Sequence, residues 1–293
     1  MIQKDYKYVV SVRLMTYQHE EFIQKALAGI LMQEVCFPVE VVVGDDFSTD
    51  QTLSIIGQFQ NNDKIDIKIL SRKKGDEYWL NRRKYGRFYN IVDIFNNCRG
   101  KYIAILDGDD YWTDSTKLQR QVDVLESDPE VRMVHTGFTR LYSEKGRFVS
   151  RESLPSKRRD GEIFTSLLFA NTICTSTVML RATDLPALNP LLIKFHEYKQ
   201  ADIIMWLYLS SIGEVRYLPD TTTVYRIQTR SIVNSQGYLD KLKFVHSSYK
   251  IRFYFANKFQ ISFMNYIKLL YGYIAKQSKN IIKLLIAHHP KTS

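Results

Sequence analysis

Three carboxylates follow one short apolar run in the middle of the chain. Asp107, Asp109 and Asp110 come directly after residues 102–106, which are uncharged, apolar and rich in β-forming side chains. A run of this length and composition is typical of a strand that is buried on both faces of a parallel sheet. Because open α/β sheets bind ligands at the carboxyl ends of their strands, the sequence predicts a binding site at these carboxylates.

Carboxylates this close together repel one another and require a positive counter-charge. Oxygen ligands favour Mg²⁺ or Mn²⁺ over zinc, and Mg²⁺ commonly binds one or two carboxylates together with substrate phosphates. The cluster therefore predicts a divalent metal site that also binds a diphosphate. The alternative is a polar turn that caps a helix beginning near Thr113. Since a cap needs only one Asp, the metal site is the favoured interpretation.

The composition is that of a globular, basic protein. The 293 residues are 45% hydrophobic and carry a formal net charge of +10, which indicates a nucleotide, a nucleic acid or an anionic membrane surface as partner. Cys36, Cys98 and Cys174 show no CxxC spacing, so neither a disulfide framework nor a zinc cluster is predicted. The first residues lack the apolar core of a signal peptide, and no uncharged apolar run could span a bilayer. We therefore expect a cytoplasmic location.

Strands and helices alternate through the first hundred residues. Strands are predicted over 8–14, 39–44, 65–70 and 102–106, with helices over 21–33, 51–60 and 88–98 between them. This alternation predicts a right-handed, mostly parallel sheet with helices on both faces. Beyond it, the patterns predict a helix over 117–127, a hairpin of 131–142 with 147–149, a strand over 173–180, a helix over 203–211 and short strands over 215–218 and 223–226.

The stretch between the third strand and the following helix is polar and basic. Its cations are Arg72, Lys73, Lys74, Arg82, Arg83, Lys84 and Arg87. Two interpretations of residues 71–90 stay open: a solvated loop, and a flexible flap over anionic phosphates, since long loops in compact domains are often functional.

The end of the chain has a helical and basic pattern. A soft boundary near Ser235 separates residues 1–234 from a helical region over 235–293. Within 258–285, the lysines fall on one side of a helix and the apolar residues on the other. The lysines are Lys258, Lys268, Lys276, Lys279 and Lys283, and the apolar residues are Phe263, Ile267, Leu270, Ile274, Ile281 and Leu285. Such a helix lies in a membrane interface or packs its apolar side on the preceding domain.

Four short motifs occur in order along the chain. They are Thr16-Tyr17-x-x-Glu20, Asp45-Asp46-x-Ser48-Thr49-Asp50, Asp107-Gly-Asp-Asp and Asp202-x-x-x-Trp206. Together they resemble the inverting family 2 glycosyltransferases over about residues 8–231, and especially bacterial members that build capsule, lipopolysaccharide or other surface polysaccharides. The resemblance implies the GT-A nucleotide-diphospho-sugar transferase fold. It also implies a catalytic domain over 1–234, with a nucleotide-binding half over about 1–110 and an acceptor half over about 111–234.

The resemblance assigns roles to individual residues. It places Thr16, Tyr17, Glu20, Asp45, Asp46, Ser48, Arg72, Gly86, Arg87, Asn90 and Asp107 around the nucleotide-diphosphate donor. Asp45 corresponds to the carboxylate that accepts hydrogen bonds from uracil, and Arg72 and Arg87 are candidate diphosphate contacts. Asp109 corresponds to the direct metal ligand, with Asp107 closer to the ribose.

The remaining assignments concern the acceptor side. Asp202 corresponds to the catalytic base, although its position also suits an ordinary helix N-cap. Asp110 and Trp112 are candidates for contacts with the sugar or the acceptor, and Trp112 could equally lie in the core. Gln228 stands where some relatives have a histidine metal ligand. The isolated residues His19, His135 and His196 are expected to be structural.

The resemblance implies a metal-dependent inverting glycosyltransferase that uses Mn²⁺ or Mg²⁺. The donor would be a nucleotide-diphosphate sugar, UDP-linked by family habit, and the acceptor a hydroxyl of a glycan or lipid-linked sugar at the inner face of the cell membrane. A nucleotidyltransferase is an alternative, but it requires a Gly-rich basic motif after the first strand. A basic nucleic-acid-binding protein is another, although the acidic cluster would repel phosphates.

Overall fold

The computed structural model describes residues 6–59, 64–142, 147–150, 160–198, 200–227 and 237–288. The first part of the chain forms a parallel sheet, as predicted. Its strands are β1 (Tyr8–Thr16), β2 (Val39–Asp45), β3 (Ile65–Ile69) and β4 (Gly100–Asp107). The helices between them are α1 (Ile23–Leu31), α2 (Thr52–Gly57), α3 (Glu77–Tyr85) and α4 (Arg87–Asn97). The pairs β1–β2, β1–β4 and β2–β3 are all parallel, so these strands end at the same edge of the sheet.

The rest of the chain extends this sheet with mixed pairing. The further strands are β5 (Tyr111–Trp112), β6 (Val131–Tyr142), β7 (Arg147–Ser150), β8 (Met179–Arg181) and β9 (Glu214–Ile227). The further helices are α5 (Lys117–Ser127), α6 (Phe164–Phe169), α7 (Leu185–Lys194), α8 (Ala201–Ser211), α9 (Tyr238–Lys258) and α10 (Phe263–His288). The strand order is β3-β2-β1-β4-β8-β6-β9-β5, and β7 pairs with β6 in the predicted antiparallel hairpin.

Two apolar cores cover the two faces of the sheet. One contains Leu27 of α1, Ile56 of α2 and Leu118 of α5, and the other contains Phe95 of α4 and Trp206 of α8. The second core also contains side chains of the C-terminal helices, namely Tyr249, Ile251, Phe255 and Leu269. Residues on both sides of the predicted boundary near Ser235 therefore share one core. The boundary itself falls outside the described residues.

Some local predictions need correction. The polar stretch 71–90 contains α3, whose first turn is capped by Asp76, since its carboxylate accepts a hydrogen bond from Trp79 N. The two short strands predicted over 215–218 and 223–226 are one strand, β9, which pairs with β6 through register shifts. The strand predicted over 173–180 is a 3-10 turn, Thr175–Thr177, that leads into β8. The C-terminal helix is divided, because Gln260 has φ of 47° between α9 and α10.

A close approach of two backbones fixes the start of β4. Gly100 pairs with Tyr8 of β1, and a Cβ atom at Gly100 would contact Ser11 N and lie 2.7 Å from the carbonyl carbon of Val10. The Gly100 N–H donates to Ser11 Oγ at 2.7 Å, so the strand cannot move away without losing this bond.

We expect Gly100→Ala to lower the free energy of unfolding by about 1–3 kcal/mol, because backbone atoms must move to admit the methyl group. Thermal unfolding should show a decrease of several degrees in Tm. Gly57→Ala is the matched control, since nothing lies within 4 Å of a Cβ at Gly57. Equal melting temperatures for Gly100→Ala and the unsubstituted protein would contradict this account.

Candidate functional site

The ends of β1, β2 and β4 bring the predicted nucleotide and metal residues to one edge. Thr16 pairs with Asp45, and Met15 pairs with Asp107. Two backbone hydrogen bonds continue the register beyond the strands, from Asp46 N to Thr16 O at 2.9 Å and from Gly108 N to Met15 O at 2.9 Å. Residues that are far apart in sequence are therefore neighbours at this edge.

Asp45 is buried and held by its surroundings. Its Oδ1 accepts hydrogen bonds from Thr16 Oγ1 at 2.8 Å and Ser48 Oγ at 2.6 Å, and its Oδ2 accepts one from Ser48 N at 2.8 Å. Thr16 and Ser48, both predicted to lie near the nucleotide, thus fix the orientation of this carboxylate.

The loops after β1 and β2 are fastened to each other. Gln18 Oε1 accepts a hydrogen bond from Thr49 N at 2.7 Å, and Glu20 Oε2 accepts one from Gln51 N at 2.9 Å. Glu20 therefore holds the loop after β2. Tyr17, in contrast, is 56% exposed, and its ring is available for contact with a ligand.

A cavity of about 370 Å³ lies between these loops and α3. Its lining is aromatic and basic: Tyr17, Asp46, Phe47, Trp79, Arg82 and Arg83. Arg82 forms a bidentate ion pair with Asp46, with Nε at 2.9 Å from Oδ1 and Nη2 at 2.5 Å from Oδ2. This pair ties α3 to the end of β2 and closes one side of the cavity.

Arg72 and Asn90 are buried beside this cavity. Arg72 donates to Asp45 O at 2.8 Å and to Asp93 Oδ2 at 2.6 Å, and its guanidinium lies 3.7 Å from the centre of the Tyr78 ring. Asn90 donates from Nδ2 to Gly44 O at 3.2 Å, and its buried Oδ1 has no hydrogen-bond partner among the described residues. Both side chains support the end of β2.

Gly86 links α3 to α4 and has φ of 62°, a left-handed conformation that favours glycine. The next residue, Arg87, begins α4 and lies in a second cavity described below.

The carboxylates after β4 lie in different environments. Asp107 Oδ1 accepts a hydrogen bond at 2.6 Å from Arg13, whose side chain is buried in β1. Asp110 is 2% exposed and accepts from Ser176 Oγ at 2.5 Å and from Arg226 N at 2.9 Å. Burial and the neighbouring Asp109 raise the pKa of Asp110 well above its usual range. Asp110 therefore connects the acidic turn to β9 and to the turn before β8. Both oxygens of its carboxylate accept hydrogen bonds from the protein itself.

Asp109 is half-buried, and its surroundings have opposing effects on its charge. Burial raises the pKa of Asp109, as does the nearby Asp107, whereas His19 and Arg226 favour the charged form. Arg226 also donates from Nε to Asp109 O at 3.0 Å.

His19 was expected to be structural. A Cβ at Gly108 would lie 2.7 Å from His19 Nδ1, so this imidazole lies against the acidic turn.

These residues fit a divalent cation that is completed by phosphate oxygens. Within the described part of the chain, no group of three or more His, Cys, Asp or Glu side chains could hold a metal by itself. Asp107 and Asp109 offer two carboxylates at one turn, and Mg²⁺ is commonly held by one or two carboxylates plus substrate phosphates. Gln228, which stands where some relatives have a histidine metal ligand, lies outside the described residues.

Trp112 is part of the core. It is 2% exposed, its Nε1 donates to Ser176 O at 2.8 Å, and the amino group of the buried Lys117 lies 4.5 Å from its ring centre. The interpretation of Trp112 as a stacking surface for a sugar is therefore corrected, because no face of the ring is accessible to a ligand.

Asp202 lies in the first turn of α8, and its side chain does not cap the helix, since Gln200 occupies the N-cap position. Its Oδ2 accepts a hydrogen bond at 2.7 Å from Asn171 Nδ2. Burial raises the pKa of Asp202, while the Ile203 N–H, Arg87 and Asn171 favour its charged form. A carboxylate with a raised pKa is better suited to accept a proton near neutral pH.

Asp202 lies between two adjoining cavities. One of about 170 Å³ is lined by Arg140, Asn171 and Cys174 among others. The larger one, of about 450 Å³, is lined by both Asp107 and Asp202. A ligand in the larger cavity can therefore contact the acidic turn after β4 and the carboxylate of α8 together.

Sequence reasoning missed several residues of this site. Arg13 is hidden as one polar residue in an apolar strand, and Asn171 precedes a segment without regular structure. Arg226 lies two residues before Gln228, the position at which some relatives have a histidine metal ligand, so its place beside the acidic turn had a weak signal in the sequence.

Solved structures identify the class of fold. The mannosyltransferase PcManGT from Pyrobaculum calidifontis, in complex with GDP-Man and Mn²⁺, superposes with a TM-score of 0.58 at 16% identity, over 97% of this chain and 77% of that one. At this identity the likeness concerns the fold alone. The chain has the GT-A α/β fold with C-terminal helices, which confirms the fold prediction.

The family follows from the sequence comparison. The model of the family described as "Glycosyl transferase family 2" matches residues 11–182, so the chain belongs to this family. An uncharacterized protein of Mycobacterium tuberculosis is 33% identical over 239 residues, which cover 80% of this chain but only 63% of that protein. The Escherichia coli protein named UDP-Glc:alpha-D-GlcNAc-diphosphoundecaprenol beta-1,3-glucosyltransferase WfaP is 27% identical over 231 residues, or 76% of this chain and 79% of that protein.

Proposed function

We propose that the chain is an inverting glycosyltransferase that moves a sugar from a nucleotide-diphosphate donor, UDP-linked by preference, to a hydroxyl of a glycan or lipid-linked acceptor. The observation that carries this proposal is the single cavity of about 450 Å³ lined by both Asp107 and Asp202. One displacement at an anomeric carbon requires a site for the leaving diphosphate and a base for the acceptor. Asp107 lies at the diphosphate end of the cavity, and Asp202 would be the base. The name of the WfaP relative supports a UDP-sugar donor and a lipid-linked acceptor.

The donor would lie along the edge formed by β1, β2 and β4. The aromatic and basic cavity with Tyr17, Phe47 and Trp79 suits a nucleobase and ribose, because aromatic rings stack on bases. Asp107 and Asp109 would hold Mn²⁺ or Mg²⁺, which when bound neutralises negative charge on the departing diphosphate. Arg13 orients Asp107 for this role through its ion pair.

Asp202 would act as the general base. Its carboxylate accepts the proton of the acceptor hydroxyl as that oxygen attacks the anomeric carbon, and attack from the side opposite the leaving group inverts the centre. Asn171 donates to Oδ2 at 2.7 Å and so fixes the orientation of this carboxylate.

We also propose that α10 attaches the enzyme to an anionic membrane surface. No helix in the described ranges is long and apolar enough to cross a membrane. The apolar side of α10 nevertheless faces solvent: Phe263, Ile267, Leu270, Ile274, Ile281 and Leu285 are 39–76% exposed. The buried contact of α10 is made on another side, by Leu269. This arrangement argues against packing of the predicted apolar side on the domain, and exposed Lys268 and Lys279 supply charge for anionic lipids.

The donor and metal assignment predicts a ligand-dependent gain in stability. A nucleotide diphosphate at about 100 times its Kd should stabilise the protein by about 2.7 kcal/mol, which raises Tm by several degrees. We expect one nucleotide in a UDP, GDP and dTDP panel to do so with Mn²⁺, and Asp109→Ala to abolish that increase. Asp123→Ala, which removes an exposed carboxylate of α5, is the control. An increase that survives Asp109→Ala would refute the metal assignment.

The base assignment predicts a pH effect. The raised pKa of Asp202 means that its charged, active form is lost as the pH falls through that pKa, so kcat/KM should have an acid limb set by Asp202. Asn171→Ala removes a hydrogen bond to the charged form, which contributes about 1.5–3 kcal/mol, and should move this limb to higher pH. Activity on the acid limb should then fall about tenfold relative to Asn189→Ala, an amide control on α7. An unchanged limb would rule out this role for Asp202.

The membrane proposal predicts a loss of vesicle binding when charge enters the apolar side of α10. Burying one large apolar side chain contributes about 1.5–3 kcal/mol, so the double variant Phe263→Glu/Ile274→Glu should bind anionic vesicles at least tenfold more weakly. Leu80→Glu, at an exposed position on α3, is the control. Sedimentation of protein with phosphatidylglycerol vesicles gives the measurement. If the double variant instead changed only self-association, a second copy would be the partner of this surface.

A further inference from the structure

The C-terminal helices form one wall of the cavity that contains Asp202. Phe244, Ser248, Tyr249 and Arg252 of α9 and Lys276 of α10 line it, opposite Arg87 and Asp107 of the catalytic half. The cavity is thus built jointly by the C-terminal helices and by residues of the preceding domain, from Arg13 to Tyr225.

Close packing of α10 on α9 sets the position of Lys276. A Cβ at Gly272 would lie 3.0 Å from Tyr249 Oη, so a side chain at this position would crowd the tyrosine. Lys276 follows four residues later, on the same side of α10. Its amino group lies 5.3 Å from the centre of the Tyr249 ring, and the guanidinium of Arg252 lies 5.7 Å from the same ring. Both cations therefore lie next to the ring of Tyr249.

Arg252 is a buried cation without a carboxylate in direct contact. It is 7% exposed, and its Nη1 donates to Ser248 O at 3.1 Å and to Ser248 Oγ. Among the described residues, no Asp or Glu forms an ion pair with Arg252 or Lys276. Burial lowers the pKa of Arg252. Because a desolvated charge is costly unless it is paired, this side of the cavity favours an anion.

The charges that line the cavity leave a positive excess. Arg13 and Asp107 neutralise each other at 2.6 Å. Asp202 interacts electrostatically with both Arg87 and Arg252, which favour its charged form. The lining nevertheless holds four cations, Arg13, Arg87, Arg252 and Lys276, against the two carboxylates Asp107 and Asp202, so it favours a ligand that carries negative charge.

We infer that this wall binds a phosphate or diphosphate group carried by the acceptor, with Arg252 and Lys276 as its ligands. The inference rests on the proposed function, since it names the chemical class of the acceptor. A phosphate here places the sugar attached to it near Asp202, which lines the same cavity. The phosphate can belong to a lipid-linked sugar or to a phosphate-substituted glycan.

The test uses geranyl diphosphate, inorganic pyrophosphate and geraniol as probes. Each is titrated calorimetrically into the full chain with Mn²⁺ and the nucleotide diphosphate that gives the largest thermal shift, so that the donor site is filled. We expect both diphosphates to bind, with geraniol undetected. Lys276→Met and Arg252→Gln should each weaken binding about tenfold, as expected for loss of one charged hydrogen bond. Lys250→Met, at an exposed lysine of α9 outside the cavity lining, should bind as the unsubstituted chain does.

The outcomes separate the possible answers. Geranyl diphosphate binding well above pyrophosphate indicates a lipid-linked acceptor, and equal binding indicates recognition of the phosphate alone. If neither diphosphate binds, or if Lys276→Met and Lys250→Met behave alike, the inference is wrong. Lys276→Met keeps the test decisive even if Arg252→Gln fails to fold, because Lys276 is exposed. If a nucleotide diphosphate raises Tm but neither diphosphate probe binds, this inference alone is rejected. If no nucleotide diphosphate raises Tm, the proposed function is rejected.

Discussion

The repulsion among Asp107, Asp109 and Asp110 is the constraint around which the functional edge is arranged. Each carboxylate is balanced in a different way: Asp107 by the buried Arg13 of β1, and Asp110 by the Ser176 hydroxyl and a backbone N–H of β9. At Asp109, burial and Asp107 disfavour the charged form, whereas His19 and Arg226 favour it. The compensation for Asp107 and Asp110 comes from other strands, so the turn holds its shape only when the whole sheet is assembled.

The parallel half of the sheet could be predicted from sequence. The strands β1, β2 and β4 are largely buried on both faces and appear as short, mostly apolar runs between helices, whereas the partly exposed β3 appears as an alternating segment. The acidic turn could also be predicted, because its carboxylates come directly after such an apolar run. The partners of the turn were not visible. The Arg13–Asp107 pair joins residues 94 apart, and only strand register places them together. Trp112 was ambiguous because an aromatic residue beside a polar turn suits both a binding surface and a core, and its burial depends on Ser176, which lies far along the chain.

The C-terminal region shows a different limit of sequence patterns. Periodicity identified the apolar and basic sides of the terminal helix, yet it could not tell which side contacts the rest of the protein. Packing is decided by Leu269 and by the short distance between Gly272 and Tyr249, and this contact leaves the apolar side exposed. It also places Arg252 and Lys276 in the same cavity as Asp202. A region that composition describes as a basic tail is, in the folded chain, part of the wall of the candidate acceptor site.

The helix α3 differs from the strands beside it in how it is held. Tyr78 is its only buried residue, and its other attachments to the end of β2 are polar, chiefly the ion pair of Arg82 with Asp46. Local opening of a segment requires less free energy where few apolar side chains are buried. The backbone amides of α3 should therefore exchange with solvent deuterium before those of β1, β2 and β4. The cavity lined by Tyr17, Phe47 and Trp79 thus lies between the ends of stable strands and a helix that can open without unfolding the domain.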